Sequence, residues 1–205
     1  WLPFMTSADR EKEMTLVRKI FNKLRGKGSN PGLRGIPFYD AFIHTGKGPK
    51  ILENNSRPGD PEIQNLLPIL KEDFVDLCFR MLDGNLTRVE FERGATVVTY
   101  KAPPDYGGFK AVFPQRVDSS DADKPVDLSG AYRLAEKYGE NIRIYPGSME
   151  LRDDGRTYAL GSRTVCAVGV GGDLEAAREI SLVGLKAIKG GALWFRTDIA
   201  SREHI

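Results

Sequence analysis

Apolar side chains at Met14, Val17, Ile20, Phe21 and Leu24 recur among charged ones at the three-to-four spacing of a helix with one apolar face. Ser7 or Asp9 can cap its start, and Gly26 stops it. Gly26-Lys27-Gly28-Ser29-Asn30-Pro31-Gly32 carries the residues of a loop. Two short extended runs follow, 36–44 and 49–55, joined by Thr45-Gly46-Lys47-Gly48, which predicts a hairpin. Asp60-Pro61-Glu62 predicts a helix start, with Asp60 as cap, Pro61 in the first helical position and Glu62 near the positive end. Ile63, Leu66 and Leu67 form its apolar face until Pro68 interrupts. A further helix runs over 73–82 and stops at Gly84.

The pattern changes after Asn85. Residues 95–100 form a β-branched strand, and the Lys101-Ala102-Pro103-Pro104-Asp105-Tyr106-Gly107-Gly108 run is a turn-rich loop. The spacing then predicts a helix over 129–138, strands at 142–145, 158–160 and 163–169, and a helix over 174–188 between Asp173 and Gly190. The fold class is α+β. A boundary near Arg88 divides the chain into 1–88 and 89–205, and no repeat or low-complexity tract is present.

Composition narrows the class. With 205 residues, 40% of them hydrophobic and 28% charged, the chain has the make-up of a folded soluble protein. No apolar run approaches the roughly 18 to 20 residues of a membrane span, and no signal peptide opens the chain, so a cytoplasmic location is expected. Thirty basic against 28 acidic residues give a net charge of +2, which makes no electrostatic case for nucleic acid or an anionic membrane. Two cysteines, Cys78 and Cys166, are too few for a secreted disulfide framework, and both lie on apolar faces as core residues do. The chain opens on Trp1 rather than Met, which reads as a cut end.

The strongest chemistry lies in the segment from Lys50 to Glu62. On a strand alternate side chains share a face, so Glu53 and Asn55 point the same way. A carboxylate and a carboxamide oxygen side by side are hard ligands suited to Mg²⁺, which keeps waters and borrows further oxygens from phosphate. Arg57, if the chain stays extended, falls on the same side and offers a planar fork to phosphate. A helix N-terminus at Asp60 would complete a phosphate-handling arrangement. The same residues also suit a plain polar turn leading into a helix.

The segment resembles the E-x-N-x-R-F-G-D-P-E signature of the glycinamide ribonucleotide synthetase (phosphoribosylamine–glycine ligase) family, ATP-grasp enzymes of purine biosynthesis. The likeness extends through Gly48-Pro49-Lys50-Ile51-Leu52 upstream and Gln64 and Leu66-Leu67-Pro68 downstream. It also covers Arg163-Thr164-Val165-Cys166-Ala167-Val168-Gly169, the helix from Asp173 and Phe195-Arg196-Thr197-Asp198-Ile199, while the Lys101 to Tyr106 loop is similar to the archaeal branch. The resemblance implies the rear part of an ATP-grasp domain followed by a small mixed α/β domain resembling a half barrel-sandwich (rudimentary hybrid motif). It implies ATP, glycine and 5-phosphoribosylamine as substrates, joined through glycyl phosphate. Glu53 and Asn55 would hold Mg²⁺ or Mn²⁺, Arg57 would be catalytic and bind substrate, and Asp60 would position substrate. The nucleotide-clasping part would precede Trp1, so the chain would need that missing N-terminal part to act.

The departures count as well. Pro58 stands where the family has Phe. Archaeal relatives present a glutamine ligand where this chain has Ala41, with Asp40 beside it; a regular strand turns Asp40 to the other side, which favours a weakened metal site. A diverged, non-catalytic ATP-grasp-derived binding module, or a related carboxylate–amine ligase, are the alternatives. Gly46-Lys47-Gly48 and Gly26-Lys27-Gly28-Ser29 lack P-loop spacing, and Gly169-Val170-Gly171-Gly172-Asp173 lacks the third spaced glycine of a dinucleotide site. His44 and His204 have no partner in sequence that suggests catalysis or zinc. The loop with Tyr106 and Phe109 either covers a substrate or packs on its own domain.

Overall fold

Thr6 caps the first helix in place of Ser7 or Asp9. Its Oγ1 accepts from the Asp9 N–H at 3.1 Å, and the Asp9 carboxylate accepts from the Thr6 N–H at 3.3 Å, a reciprocal capping box. Helix α1 (Ser7–Leu24) ends there, with Arg25 as its C-cap one residue before Gly26. The structure is a computed structural model that describes residues 5–30, 32–107, 117 and 119–202. Trp1, Pro31, Phe109 and His204, each singled out above, lie outside the described residues.

The chain divides into two compact units. The first holds the residues up to Ile63 with Leu70–Phe91, and the second Gln64–Ile69 with the residues from Glu92 onward. In the first, β1 (Tyr39–Thr45) and β2 (Gly48–Asn55) form an antiparallel hairpin whose two-residue turn is Gly46-Lys47. His44 of β1 has a partner that local sequence hides: its Nε2 lies 2.7 Å from Oε1 of Glu13, a buried residue of α1. Helix α2 (Glu62–Leu66) starts at Glu62 rather than Pro61 and is only five residues long before a 3-10 turn takes up Pro68. It is therefore too short to offer the N-terminal phosphate site expected at Asp60. Helix α3 (Phe74–Leu82) begins one residue after the predicted start, with Asp73 as its cap, accepting from the Val75 and Asp76 N–H groups at 2.9 and 3.0 Å.

The second unit is built on a four-stranded antiparallel sheet, ordered β4 (Ile142–Pro146), β7 (Val165–Gly171), β3 (Ala95–Ala102), β8 (Trp194–Phe195). A separate hairpin pairs β5 (Met149–Leu151) with β6 (Thr157–Ala159). Strands β5 and β8 escape sequence pattern because three or two residues are too few to show alternation. Helix α4 (Ser129–Tyr138) spans the predicted residues, and α5 (Leu174–Ala187) starts on an Asp173 cap. Val165 and Ala167 of β7 pack with Leu185, Ile188, Val126 and Ala131, while Val98, Cys166 and Val168 cluster with Tyr100 and Tyr145. Cys166 is fully buried and Cys78 partly so, both as free thiols.

One charge sits inside this unit. Lys101 is 8% exposed, and its Nζ donates to the Ile188 carbonyl at 2.6 Å and lies 5.6 Å from the Phe195 ring centre. Burial, aided by the nearby charge of Lys189, pulls its pKa from 10.5 down to about 8. A folded-state pKa below the unfolded one means the unfolded chain binds more protons between pH 8 and 10.5, so stability rises with pH across that window. Denaturant melts from pH 8 to 9.5 are expected to show this rise, no more than about 2 kcal/mol once solvent screening is counted, and Lys101→Met is expected to flatten it.

Candidate functional site

The β1–β2 hairpin decides which side chains meet. Thr45 Oγ1 donates to the Gly48 carbonyl at 2.8 Å and accepts from the Lys47 N–H at 3.2 Å, which locks the turn and hence the register. Tyr39 pairs with Asn55, Asp40 with Asn54 and Ala41 with Glu53, but Phe42 pairs with Ile51. Leu52 is thus the extra residue of a bulge and points into solvent. Glu53 and Asn55 both follow the bulge, so the alternation between them survives.

Their side chains meet. Asn55 Nδ2 donates to Glu53 Oε1 at 3.0 Å, which leaves the amide oxygen beside the carboxylate for another partner. Tyr39, opposite Asn55, and Ala41, opposite Glu53, share that face, where Ala41 contributes no oxygen. Asp40 accepts a hydrogen bond from Asn54 and so lies on the opposite face, where it cannot take the place of a ligand at position 41.

Tyr39 and Glu62 are the members that local pattern missed. The Tyr39 hydroxyl donates to Glu62 Oε1 at 2.9 Å across 23 residues of chain. Its pKa is pushed up to about 12, first by burial, then by the Glu62 hydrogen bond and the charges of Glu62 and Glu53, with Arg57 acting the other way. Glu53, Arg57 and Glu62 therefore all lie within electrostatic reach of one phenol. Arg57 is exposed and donates from Nη1 to the Pro58 carbonyl at 2.8 Å, while Asp60 is exposed in the turn before α2.

Gly59 explains how the turn fits beneath this pair. A Cβ there would lie 2.3 Å from Glu62 Oε2 and 3.0 Å from Tyr39 Cζ. Gly59→Ala is expected to break the Tyr39–Glu62 hydrogen bond and cost about 1 to 2 kcal/mol. The check is the titration of ¹³C-labelled tyrosine, in which the signal titrating near pH 12 should move back toward 10.

Glu53 and Asn55 fit a hard divalent cation as part of its shell, with water and phosphate oxygens supplying the rest. Among the described residues no three His, Cys, Asp or Glu side chains gather to form a protein-only cage. The glycines of Gly169-Val170-Gly171-Gly172 serve packing instead: a Cβ on Gly169 would lie 2.0 Å from the Ala177 carbonyl oxygen of α5. No described helix is long and apolar enough to cross a membrane.

No protein-family model matches the chain. Curated relatives do, over all of its length. It is 35% identical over 204 residues to the phosphoribosylamine–glycine ligase of Thermococcus kodakarensis, and 35% identical over 206 residues to that of Methanocaldococcus jannaschii. The enzyme of the same name from Pyrococcus furiosus is 34% identical over 206 residues. The chain spans 42% of the length of each of these relatives. Among solved structures, phosphoribosylamine–glycine ligase of Thermotoga maritima shares the fold with a TM-score of 0.68 at 23% identity, over 97% of this chain and 45% of that one.

Proposed function

We propose, for a chain homologous along its whole length to part of the phosphoribosylamine–glycine ligases, that it is the C-terminal portion of an ATP-dependent ligase joining glycine to 5-phosphoribosylamine. The observation that carries this reading beyond homology is the shared face of Glu53 and Asn55, held together by their hydrogen bond with Tyr39, Glu62 and Arg57 around them. ATP phosphorylates the glycine carboxylate, and the amine of 5-phosphoribosylamine then displaces phosphate from the glycyl phosphate to give the amide, ADP and phosphate. Residues 1–88 are the rear of an ATP-grasp domain, and residues 89–205 a mixed α/β domain of half barrel-sandwich type. The setting is purine biosynthesis in the cytoplasm, with no nucleic acid or membrane partner.

Each side chain has a task in this scheme. Glu53 and Asn55 hold Mg²⁺ or Mn²⁺, which when bound neutralises charge on the nucleotide phosphates. Arg57, exposed and cationic, offers its fork to the oxygens of the transferring phosphoryl group. Tyr39 stays protonated at neutral pH and holds Glu62 in place, which stiffens the floor of the site. Asp60 positions substrate from the neighbouring turn.

The distribution of apolar residues supports the need for more polypeptide. Among the described residues Pro49 is the one buried apolar side chain of the first unit, and every buried aliphatic or aromatic side chain belongs to the second. The first unit leaves Val75, Phe79 and Leu82 of α3 61%, 61% and 67% exposed, and Met14, Phe21 and Leu24 of α1 exposed as well. A unit that leaves this many large apolar side chains exposed and buries so few offers them to further chain.

The test uses the polypeptide at the length of its relatives. ADP release is expected only with glycine, 5-phosphoribosylamine and a divalent cation together. Nucleotide binding without turnover would instead identify a non-catalytic module, as Ala41 favours, and turnover with another carboxylate and amine would identify a related ligase.

A further inference from the structure

The C-terminal half of α1 and the loop after it carry a charge block that the site above does not use. Between residues 18 and 34 stand Arg18, Lys19, Lys23, Arg25, Lys27 and Arg34, with no acidic residue among them, in a chain whose net charge is only +2. Lys23 and Arg25 suit the negative end of α1, but Arg34 lies beyond the helix, where the dipole does not account for it.

The loop folds back tightly enough to bring Arg34 to Arg25. The Leu33 N–H donates to the Leu24 carbonyl at 3.0 Å, and Arg25 and Gly32 form a β-bridge. Gly32 has a φ of +64°, and a Cβ there would lie 1.9 Å from the Gly26 nitrogen, so only glycine permits this closure. Arg25 and Arg34 thereby line one cavity of about 570 Å³, together with Asn22, Asn30 and Gly26. Neither guanidinium has an ion pair or a hydrogen bond among the described residues. Two of the carbonyls at this helix end are engaged, that of Phe21 by the Arg25 N–H at 2.8 Å and that of Leu24 by the Leu33 N–H at 3.0 Å.

We propose that the Arg25–Arg34 cavity binds the phosphate group of a small sugar phosphate. Two guanidiniums, unpaired among the described residues, supply planar, charge-assisted donors, the asparagine amides supply neutral ones, and no carboxylate among the described residues lines the cavity. A volume of this size admits a pentose phosphate. The choice of a sugar phosphate rests on the ligase reading, whereas the anion site does not.

The test is calorimetric titration of the full-length polypeptide with ribose 5-phosphate, inorganic phosphate and ATP. Arg25→Gln and Arg34→Gln change exposed side chains, so both variants are expected to fold. Each should weaken ribose 5-phosphate binding about tenfold or more, with Arg18→Gln, outside the cavity, leaving it unchanged. Inorganic phosphate should bind more weakly than the sugar phosphate and show the same dependence on Arg25 and Arg34. Equal loss in Arg18→Gln, no loss in either cavity variant, or arginine-dependent binding of ATP alone or of single-stranded RNA alone would overturn the proposal. Arg34-dependent ribose 5-phosphate binding in a polypeptide that never releases ADP with glycine would leave the cavity standing and overturn only the ligase reading.

Discussion

Replacing Glu53 by alanine in the full-length polypeptide is expected to cut divalent-dependent ADP formation by on the order of a hundredfold or more, because the proposed cation would lose the carboxylate that Glu53 supplies. Glu53 is exposed and accepts a hydrogen bond from Asn55, so the melting temperature should barely change. Loss of rate without loss of fold separates a ligand from a structural residue. Asp40→Ala is the internal comparison: Asp40 lies on the other face, bonded to Asn54, and its removal should leave the rate within about threefold. Full activity in Glu53→Ala, or equal losses in the two variants, would remove the metal assignment.

The largest effect on stability is expected at Gly169. A methyl group there would meet the Ala177 carbonyl oxygen at 2.0 Å, the Ser181 nitrogen at 2.7 Å and the Ala177 carbonyl carbon at 3.0 Å. All three are backbone atoms of α5, so no side chain can swing aside. The contact is reciprocal, since a Cβ on Gly184 of α5 would lie 2.8 Å from Ala167 Cβ of β7. The Ser181 hydroxyl, which donates to the Ala167 carbonyl at 2.8 Å, depends on the same close approach. Gly169→Ala must therefore lift α5 from β7, which carries Ala177, Ser181, Gly184 and Leu185 away from a fully packed position. The expected cost is roughly 3 kcal/mol or more, a fall in melting temperature on the order of 10 °C. Gly172 has nothing within 4 Å of a Cβ, so Gly172→Ala should stay within about 0.5 kcal/mol of the parent. Similar melting temperatures for the two variants would show that the glycines answer to something other than helix–strand packing.

Much of this arrangement is written in short-range chemistry. Asp73 and Asp173 cap the helices they precede, Gly46-Lys47 turns the hairpin, and the 129–138 and 174–187 helices lie where apolar spacing places them. The pairing of Glu53 with Asn55 follows from strand alternation because both residues lie beyond the Leu52 bulge. Had the bulge fallen between them, the same reasoning would have put them on opposite faces.

Other features depend on partners distant in the chain. Glu62 looks like a helix-start residue until Tyr39 donates to it, and His44 looks solitary until Glu13 of α1 meets it 31 residues away. Lys101 reads as a loop lysine, yet it lies within β3, is buried and donates to the Ile188 carbonyl. Gly169 and Gly171 lack the spacing of a dinucleotide turn, but only the path of α5 shows that they make room for a helix.

Local backbone preference and side-chain period act over a few residues, so the order of the longer elements, the Asp173 cap and the shared face of Glu53 and Asn55 are legible from the chain alone. Contact between residues far apart depends on how whole elements pack, which no window of sequence contains. That packing decides the rest: Tyr39 against Glu62, Asp40 turned away from Glu53, α5 seated on glycines, and Arg34 brought back to Arg25.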